Sequence, residues 1–345
     1  MNVVDWPVTV YNDGAIRLGS GVVADGFHPN IGVRVQSHAH QDHLHNFNRS
    51  KGIQDIVMLS GTRDLLIAQR NADLPLRSNI IGLEAAAPYP VAGGHAITLL
   101  PSGHTVGSAQ VAVVEADGVR LGYSGDFAWP LHDVIDVDYL VVDATYGNPA
   151  SIRRFSQGEA EQALVEVTVA ALARGSVYVK ALSGTLQRAA AALCGAIAAP
   201  ILASQRICKE IDVYRSHGFP IDPVIKSERV AADEQLAQTP HFVRLLGPGD
   251  EGRAAVPASA CFIVLSGFLG RGPDPVEEYV RGGSYKISIS DHADFEGTLA
   301  YVQRTGAQYV LVDNTRGGNG EVLAASIRDR LGIKASASVQ EAPVW

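Results

Sequence analysis

Cysteine is scarce in this chain. Three residues in 345, Cys194, Cys208 and Cys261, are odd in number and lack any Cys-x-x-Cys spacing. That excludes a disulfide framework and a cysteine-based zinc knuckle, fits a reducing compartment, and leaves all three as ordinary core residues. Long apolar runs are missing too. The longest, 189–203, is alanine-rich, broken by Gly195 and Pro200, and too short to span a bilayer. It reads as a buried helix followed by a strand, and no membrane partner is expected. No basic leader with an apolar core opens the chain, because Asp5, Pro7 and Asp13 interrupt the start, so a cytoplasmic location is expected. Positive charge is short as well: the formal net charge of −8 argues against capture of a polyanion by bulk attraction. Between residues 145 and 283, Lys plus Arg and Asp plus Glu stand at 14 and 14, so the whole deficit lies in the flanking segments. Bound cations there would offset part of it.

The composition that remains, 46% apolar, can bury a large core. Since single cores seldom grow past about 250–300 residues, two domains are expected. Internal repeats and low-complexity segments are absent. The first part reads as short strands and tight turns at 15–18, 22–25, 33–37, 97–100, 110–115 and 119–123, with Asp117-Gly118 as a hairpin signal. From residue 139 strand and helix alternate: strands at 139–144 and 176–181, helices at 158–173 and 185–198. The tail continues with a buried strand at 261–265, then 286–289, 295–304, 309–312 and 321–331. Alternation of this kind indicates parallel strands with helical crossovers, so the fold class is α/β.

The richest chemistry sits in His38-Ala39-His40-Gln41-Asp42-His43, straight after the run 33–36, which reads as an apolar strand. In extended chain His38 and His40 point to the same side; where a helix then begins, Asp42 and His43 swing toward a neighbouring position. One segment can therefore serve two adjacent ions, and imidazole with carboxylate is the donor set that holds zinc or similar divalent ions. Further candidates fall at strand ends. Ser102-Gly103-His104-Thr105 follows 97–100, and Ser124-Gly125-Asp126-Phe127 follows 119–123. In each, a small residue and Gly let the backbone approach closely before a side chain of metal-ligand type.

These residues resemble the metallo-β-lactamase-fold hydrolases, whose HxHxDH motif is matched without a gap by His38, His40, Asp42 and His43. The resemblance extends to His104 as the later histidine, Asp126 as the bridging aspartate, and Asp25 as an early aspartate that orients a ligand. It implies one metal on His38, His40 and His104, a second on Asp42 and His43, and Asp126 between them. A narrower resemblance, to the β-CASP nuclease branch that includes ribonuclease J, the messenger-RNA cleavage endonuclease and the DNA cross-link repair nucleases, covers nearly the whole chain. Residues 141–146 resemble that branch's motif A, assigning the role to Asp143. Residues 287–294 resemble motif B, assigning the role to His292. The α/β segment between them is similar to its cap.

What this implies is an αββα sandwich at 1–150, completed by 284–345, with an inserted α/β β-CASP cap at 151–283. The implied activity is hydrolysis of DNA or RNA phosphodiesters, as in an exonuclease of nucleic-acid processing or repair, with two divalent ions, zinc first and manganese as the alternative. A metal-activated hydroxide would attack phosphorus, with His292 giving a proton to the departing oxygen. Asp143 and Asp25 would orient ligand histidines. The branch's motif C should follow 309–312, where this chain has Asp313. That carboxylate either completes the second metal's shell or closes an Asx turn with Asn314. Ser288 and Ser290, with Ser183 at a helix start, offer donors to a phosphate; Ser183 serves equally as a helix cap. Arg271 is read as a cleft-lining or solvated cation. Arg316-Gly317-Gly318-Asn319-Gly320 lacks phosphate-loop spacing and reads as a flexible turn. The competing class is a small-molecule metallohydrolase of the same fold, a lactonase or thiolesterase. A non-enzymatic scaffold is a third class, which the intact histidine motif disfavours. No motif encodes the oligomeric state, a homo-oligomer included.

Overall fold

A computed structural model describes residues 7–70, 73–227, 241–267, 272–280 and 283–339. Arg271 lies outside them. The chain divides into two compact units, Met1–Ile152 with His292–Trp345, and Arg153–Asp291. Both are mixed α/β.

Two sheets build the first unit. One runs, neighbour to neighbour, Val8–Val10, Ile16–Leu18, Val22–Ala24, Val33–Val35, Asp55–Leu59 and Ile80–Leu83. The other runs Lys334–Ala337, Tyr309–Val312, Tyr139–Val142, Arg120–Tyr123, Ala109–Val114, His95–Pro101 and Tyr89–Val91. Alternate β-branched and aliphatic residues from both, among them Val22, Val35, Val57, Leu99, Val111 and Val141, form one buried cluster, so the sheets share a core face to face. Helix Ser60–Arg70 covers the first sheet from outside. Phe295–Arg304 and Gly320–Ser326 cover the second through Phe295, Leu299, Val302, Leu323 and Ala324. Tyr139–Val142 and Tyr309–Val312 are parallel neighbours in the sheet's interior, buried almost throughout, which is why they read as continuous apolar runs. Asp117-Gly118 turns the hairpin between Ala109–Val114 and Arg120–Tyr123, with Gly118 at φ 88°.

The second unit carries a sheet of seven strands among the described residues. Six run parallel, with Val276–Val280 antiparallel at the edge. Its first helix, Gln157–Leu172, starts at a capping box in which Ser156 and Glu159 satisfy each other's backbone N–H. The boundary expected at 283/284 is corrected here. Strand Ser284–Ile287 pairs with Cys261–Leu265 and Val276–Val280, so it completes the inserted sheet, and the chain returns to the first unit only at His292. No helix among the described residues is long and apolar enough to cross a membrane.

Candidate metal centre

Strand tips of the first unit converge on Asp126. Val33–Val35 leads to His38, His95–Pro101 to His104, and Arg120–Tyr123 to Asp126. Gly125 makes the last approach: it sits at φ 55°, and a Cβ there would lie 2.6 Å from the Ala109 carbonyl oxygen. The Asp126 carboxylate has His43 Nε2 at 3.3 Å, His38 Nε2 at 3.5 Å, His104 Nε2 at 3.6 Å and His292 Nε2 at 3.9 Å. His40 Nδ1 lies 3.0 Å from His104 Nε2. Ligand atoms of His38, His40, His104 and Asp126 all fall within 4.8 Å of one another, as do those of Asp126, Asp143 and His292. The Nε2 atoms of His38 and His43 are buried and have no hydrogen-bond partner. Orphaned buried nitrogens cost free energy unless something fills the space between them, and a divalent ion fits that donor set. Asp42 is mostly exposed, with its carboxylate 3.7 Å from His43 Nε2.

Behind these side chains stands a polar support that the sequence reading missed in large part. His43 Nδ1 donates to Asp25 at 2.7 Å, which turns its Nε2 toward the cluster. Asp25 is fully buried and left-handed, at φ 51°, and also accepts from the Ser37 amide and hydroxyl at 2.8 and 2.6 Å. The run 33–36, apolar in outline, holds two buried polar residues, Arg34 and Gln36. Gln36 Nε2 donates to Asp25 and to the carbonyls of His38 and His43, while Arg34 grips Gln36 and the carbonyls of His43 and His45. Their alternation with Val33 and Val35 was the available signal. Ser108 does similar work for the other loop: its hydroxyl accepts from the amides of His104 and Thr105.

Electrostatics divide the histidines. Burial, with the neighbouring His43, pushes His38 well below its ordinary value, so its ring is neutral. For His43, burial and the Arg316 guanidinium act downward, but Asp126 and Asp25 outweigh them and raise it to about 10. Burial acts to raise the Asp126 carboxyl, yet His43 and His38 hold it well below the usual carboxylate range.

No known family model matches this chain. It is 34% identical, over 126 residues, to the "uncharacterized protein in lig 3'region" of Acidianus ambivalens, covering 36% of this chain and 89% of that one. The chain belongs to that protein's family. A solved structure, described as a protein of unknown function from Enterococcus faecalis V583, superposes with a TM-score of 0.54 at 13% identity, covering 81% of this chain and 74% of that one. The likeness extends to the fold alone.

The remaining candidates of this family member separate into three groups. His292 Nδ1 lies 3.6 Å from Asp143, whose other oxygen accepts from the Thr145 amide and hydroxyl. Asp313 closes an Asx turn on the Thr315 amide at 2.9 Å and pairs with Arg316, and it belongs to no potential metal group among the described residues. Of the two alternatives for Asp313, the structure shows the Asx turn, which runs through Asn314 and closes on Thr315. Ser183, Ser288 and Ser290 belong to the second unit. There the Ser183 hydroxyl donates to the buried Glu210, and Gly184, not Ser183, is the N-cap of Thr185–Leu193.

Proposed function

We propose that this protein is a metal-dependent phosphodiesterase acting on DNA or RNA, a member of the β-CASP branch of the metallo-β-lactamase fold. The observation that carries the reading is the convergence of four imidazoles on Asp126, two of them with buried, unpartnered Nε2 atoms. Two sheets over one core with helices outside support the αββα sandwich, and the separate unit Arg153–Asp291 supports an inserted cap. His38, His40 and His104 would hold one ion and Asp42 with His43 a second, Asp126 serving both. Bound there, divalent ions would neutralise charge at the phosphate and acidify the attacking water.

The chain's own groups do the rest. Asp25 fixes the His43 tautomer by accepting its Nδ1 proton. His292 turns Nε2 toward Asp126 and Nδ1 toward Asp143, so Nε2 is the nitrogen that would carry a proton to the departing oxygen. An alkoxide leaving group needs such a proton. Matched DNA and RNA strands, labelled at either end, test this when digested by zinc- and manganese-loaded protein beside Asp126→Ala. Product ladders from the wild type alone support the reading. Turnover of thioesters or lactones, with no cleavage of bis-p-nitrophenyl phosphate or of either nucleic acid, sinks it.

A further inference from the structure

His292 is held on three sides within the first unit. Asp143 lies 3.6 Å from its Nδ1, the His104 ring meets it edge-on at 4.5 Å between centroids, and the ring of the buried Tyr146 does so at 5.8 Å. Two of those three groups come from one turn. Asp143 closes it on the Thr145 amide and hydroxyl, the Gly147 amide donates to the Ala144 carbonyl at 2.9 Å, and the Ser151 hydroxyl donates to the Tyr146 carbonyl at 2.8 Å. A turn bonded to itself in this way moves as one piece, so its seat decides where Asp143 and Tyr146 stand against the imidazole.

The seat is the segment Arg316-Gly317-Gly318-Asn319-Gly320, which reads from sequence alone as a flexible turn. Arg316 ties its start to Asp313 and to the Gly14 carbonyl. Gly318 then comes into backbone contact with the other turn: its φ is +91°, and a Cβ there would lie 2.0 Å from the Ala144 carbonyl oxygen and 3.2 Å from the Thr145 amide nitrogen. Only a residue with no side chain permits that approach. In return, a Cβ on Gly147 would come within 3.1 Å of the Asn319 carbonyl oxygen and 3.2 Å of the Leu323 Cβ. Gly317 makes the contrast. Its φ of +86° is nearly the same, yet a Cβ there would meet nothing within 4 Å.

We propose that Gly318 is a positioning residue: its bare backbone seats the turn 143–147 so that Asp143 and Tyr146 hold His292 where it can protonate the departing oxygen. The inference rests on the phosphodiesterase reading above, and the choice of substrate separates the two. A nucleic-acid alkoxide needs a proton as it departs, whereas p-nitrophenolate, the conjugate base of a far stronger acid, leaves without one. Zinc-loaded wild type, Gly317→Ala and Gly318→Ala are compared on labelled DNA and RNA strands and on bis-p-nitrophenyl phosphate. Gly318→Ala is expected to lose about 10–100-fold in kcat on nucleic acid and far less on the p-nitrophenyl ester, with bound zinc unchanged by elemental analysis. Gly317→Ala carries similar backbone strain without the contact, so it should keep the wild-type ratio between the two substrates. In metal-free protein the His292 ring resonances, assigned with His292→Gln, should move in Gly318→Ala and stay in place in Gly317→Ala. Gly147→Ala is a milder wedge in the same contact; it should shift the ratio the same way by less, and it carries the test should Gly318→Ala fail to fold. Equal slowing on both substrates, an unmoved His292 ring, or the same change of ratio in Gly317→Ala overturns the role of Gly318. No cleavage of any of these diesters by the wild type overturns the phosphodiesterase reading instead.

Discussion

His38 and His43 come from one hexapeptide, are both buried, and both aim an unpartnered Nε2 at Asp126, yet their proton affinities are driven in opposite directions. What differs is the group behind each ring. His38 Nδ1 rests 3.0 Å from the neutral hydroxyl of Ser37, so nothing offsets its burial sufficiently and it stays unprotonated. His43 Nδ1 rests 2.7 Å from the carboxylate of Asp25, which together with Asp126 overcomes the same burial. Asp126 and the backing Asp25 act together on His43, whereas His38 has Asp126 alone on its side and the adjacent His43 against it.

The largest break in that comparison removes the group both rings share. Asp126→Ala is expected to reduce hydrolysis to the level of metal-stripped protein and to cost bound metal, seen by elemental analysis, while circular dichroism stays native. Next comes Asp25→Asn. Asn tolerates the left-handed backbone that Asp25 adopts, so this variant removes the charge without adding strain. Metal affinity, read by competition with a chromogenic chelator, should fall about 10–100-fold, the usual consequence of losing a ligand's backing carboxylate. An unchanged affinity would leave His43 no different from His38.

A third prediction uses pH on the metal-free protein. His43 is raised from 6.5 to about 10, so its protonation favours the folded state: that contribution is complete below 6.5 and disappears as pH rises through 10. His38 has the opposite sign. Its value is depressed, so the unfolded chain takes up the proton first, and stability is lost as pH falls below 6.5. Chelated protein should therefore lose Tm on both sides of that value, and Asp25→Asn should weaken the alkaline loss selectively. A Tm flat from 6.5 to 10 in chelated wild type would show that the two histidines are alike.

How much of this was legible beforehand follows from distance along the chain. The histidine hexapeptide, His104 after Ser102-Gly103 and Asp126 after Ser124-Gly125 are local signals, each a strand end followed by a ligand type, and the fold brings these tips together. Their supports were harder to read. Arg316 reaches Gly14, and Arg34 the carbonyls of His43 and His45, contacts that no window of local pattern contains. Arg34 and Gln36 lie in a segment that reads as an apolar strand, and a buried polar residue cannot be told from a surface one by composition until its partners are known. The same limit moved a domain boundary: 284–287 has a strand's composition whichever sheet it joins, and only its pairing with Cys261–Leu265 assigns it.

The smallest expected effect tests the His38 side. Ser37 has one hydroxyl proton, and its 2.6 Å bond to Asp25 takes it, so toward His38 the same oxygen can only accept from Nδ1–H. This selects the tautomer whose Nε2 lone pair faces Asp126. Ser37→Ala deletes that acceptor and leaves the Ser37 amide bond to Asp25 intact. A neutral hydrogen bond contributes about 1 kcal/mol, so metal affinity should fall roughly fivefold, clearly less than for Asp25→Asn. Because a hydroxyl carries no charge, the alkaline arm of the chelated protein's Tm profile should keep its shape. A loss as large as that of Asp25→Asn would mean that Ser37 works mainly through Asp25, and the two histidines would then share one support.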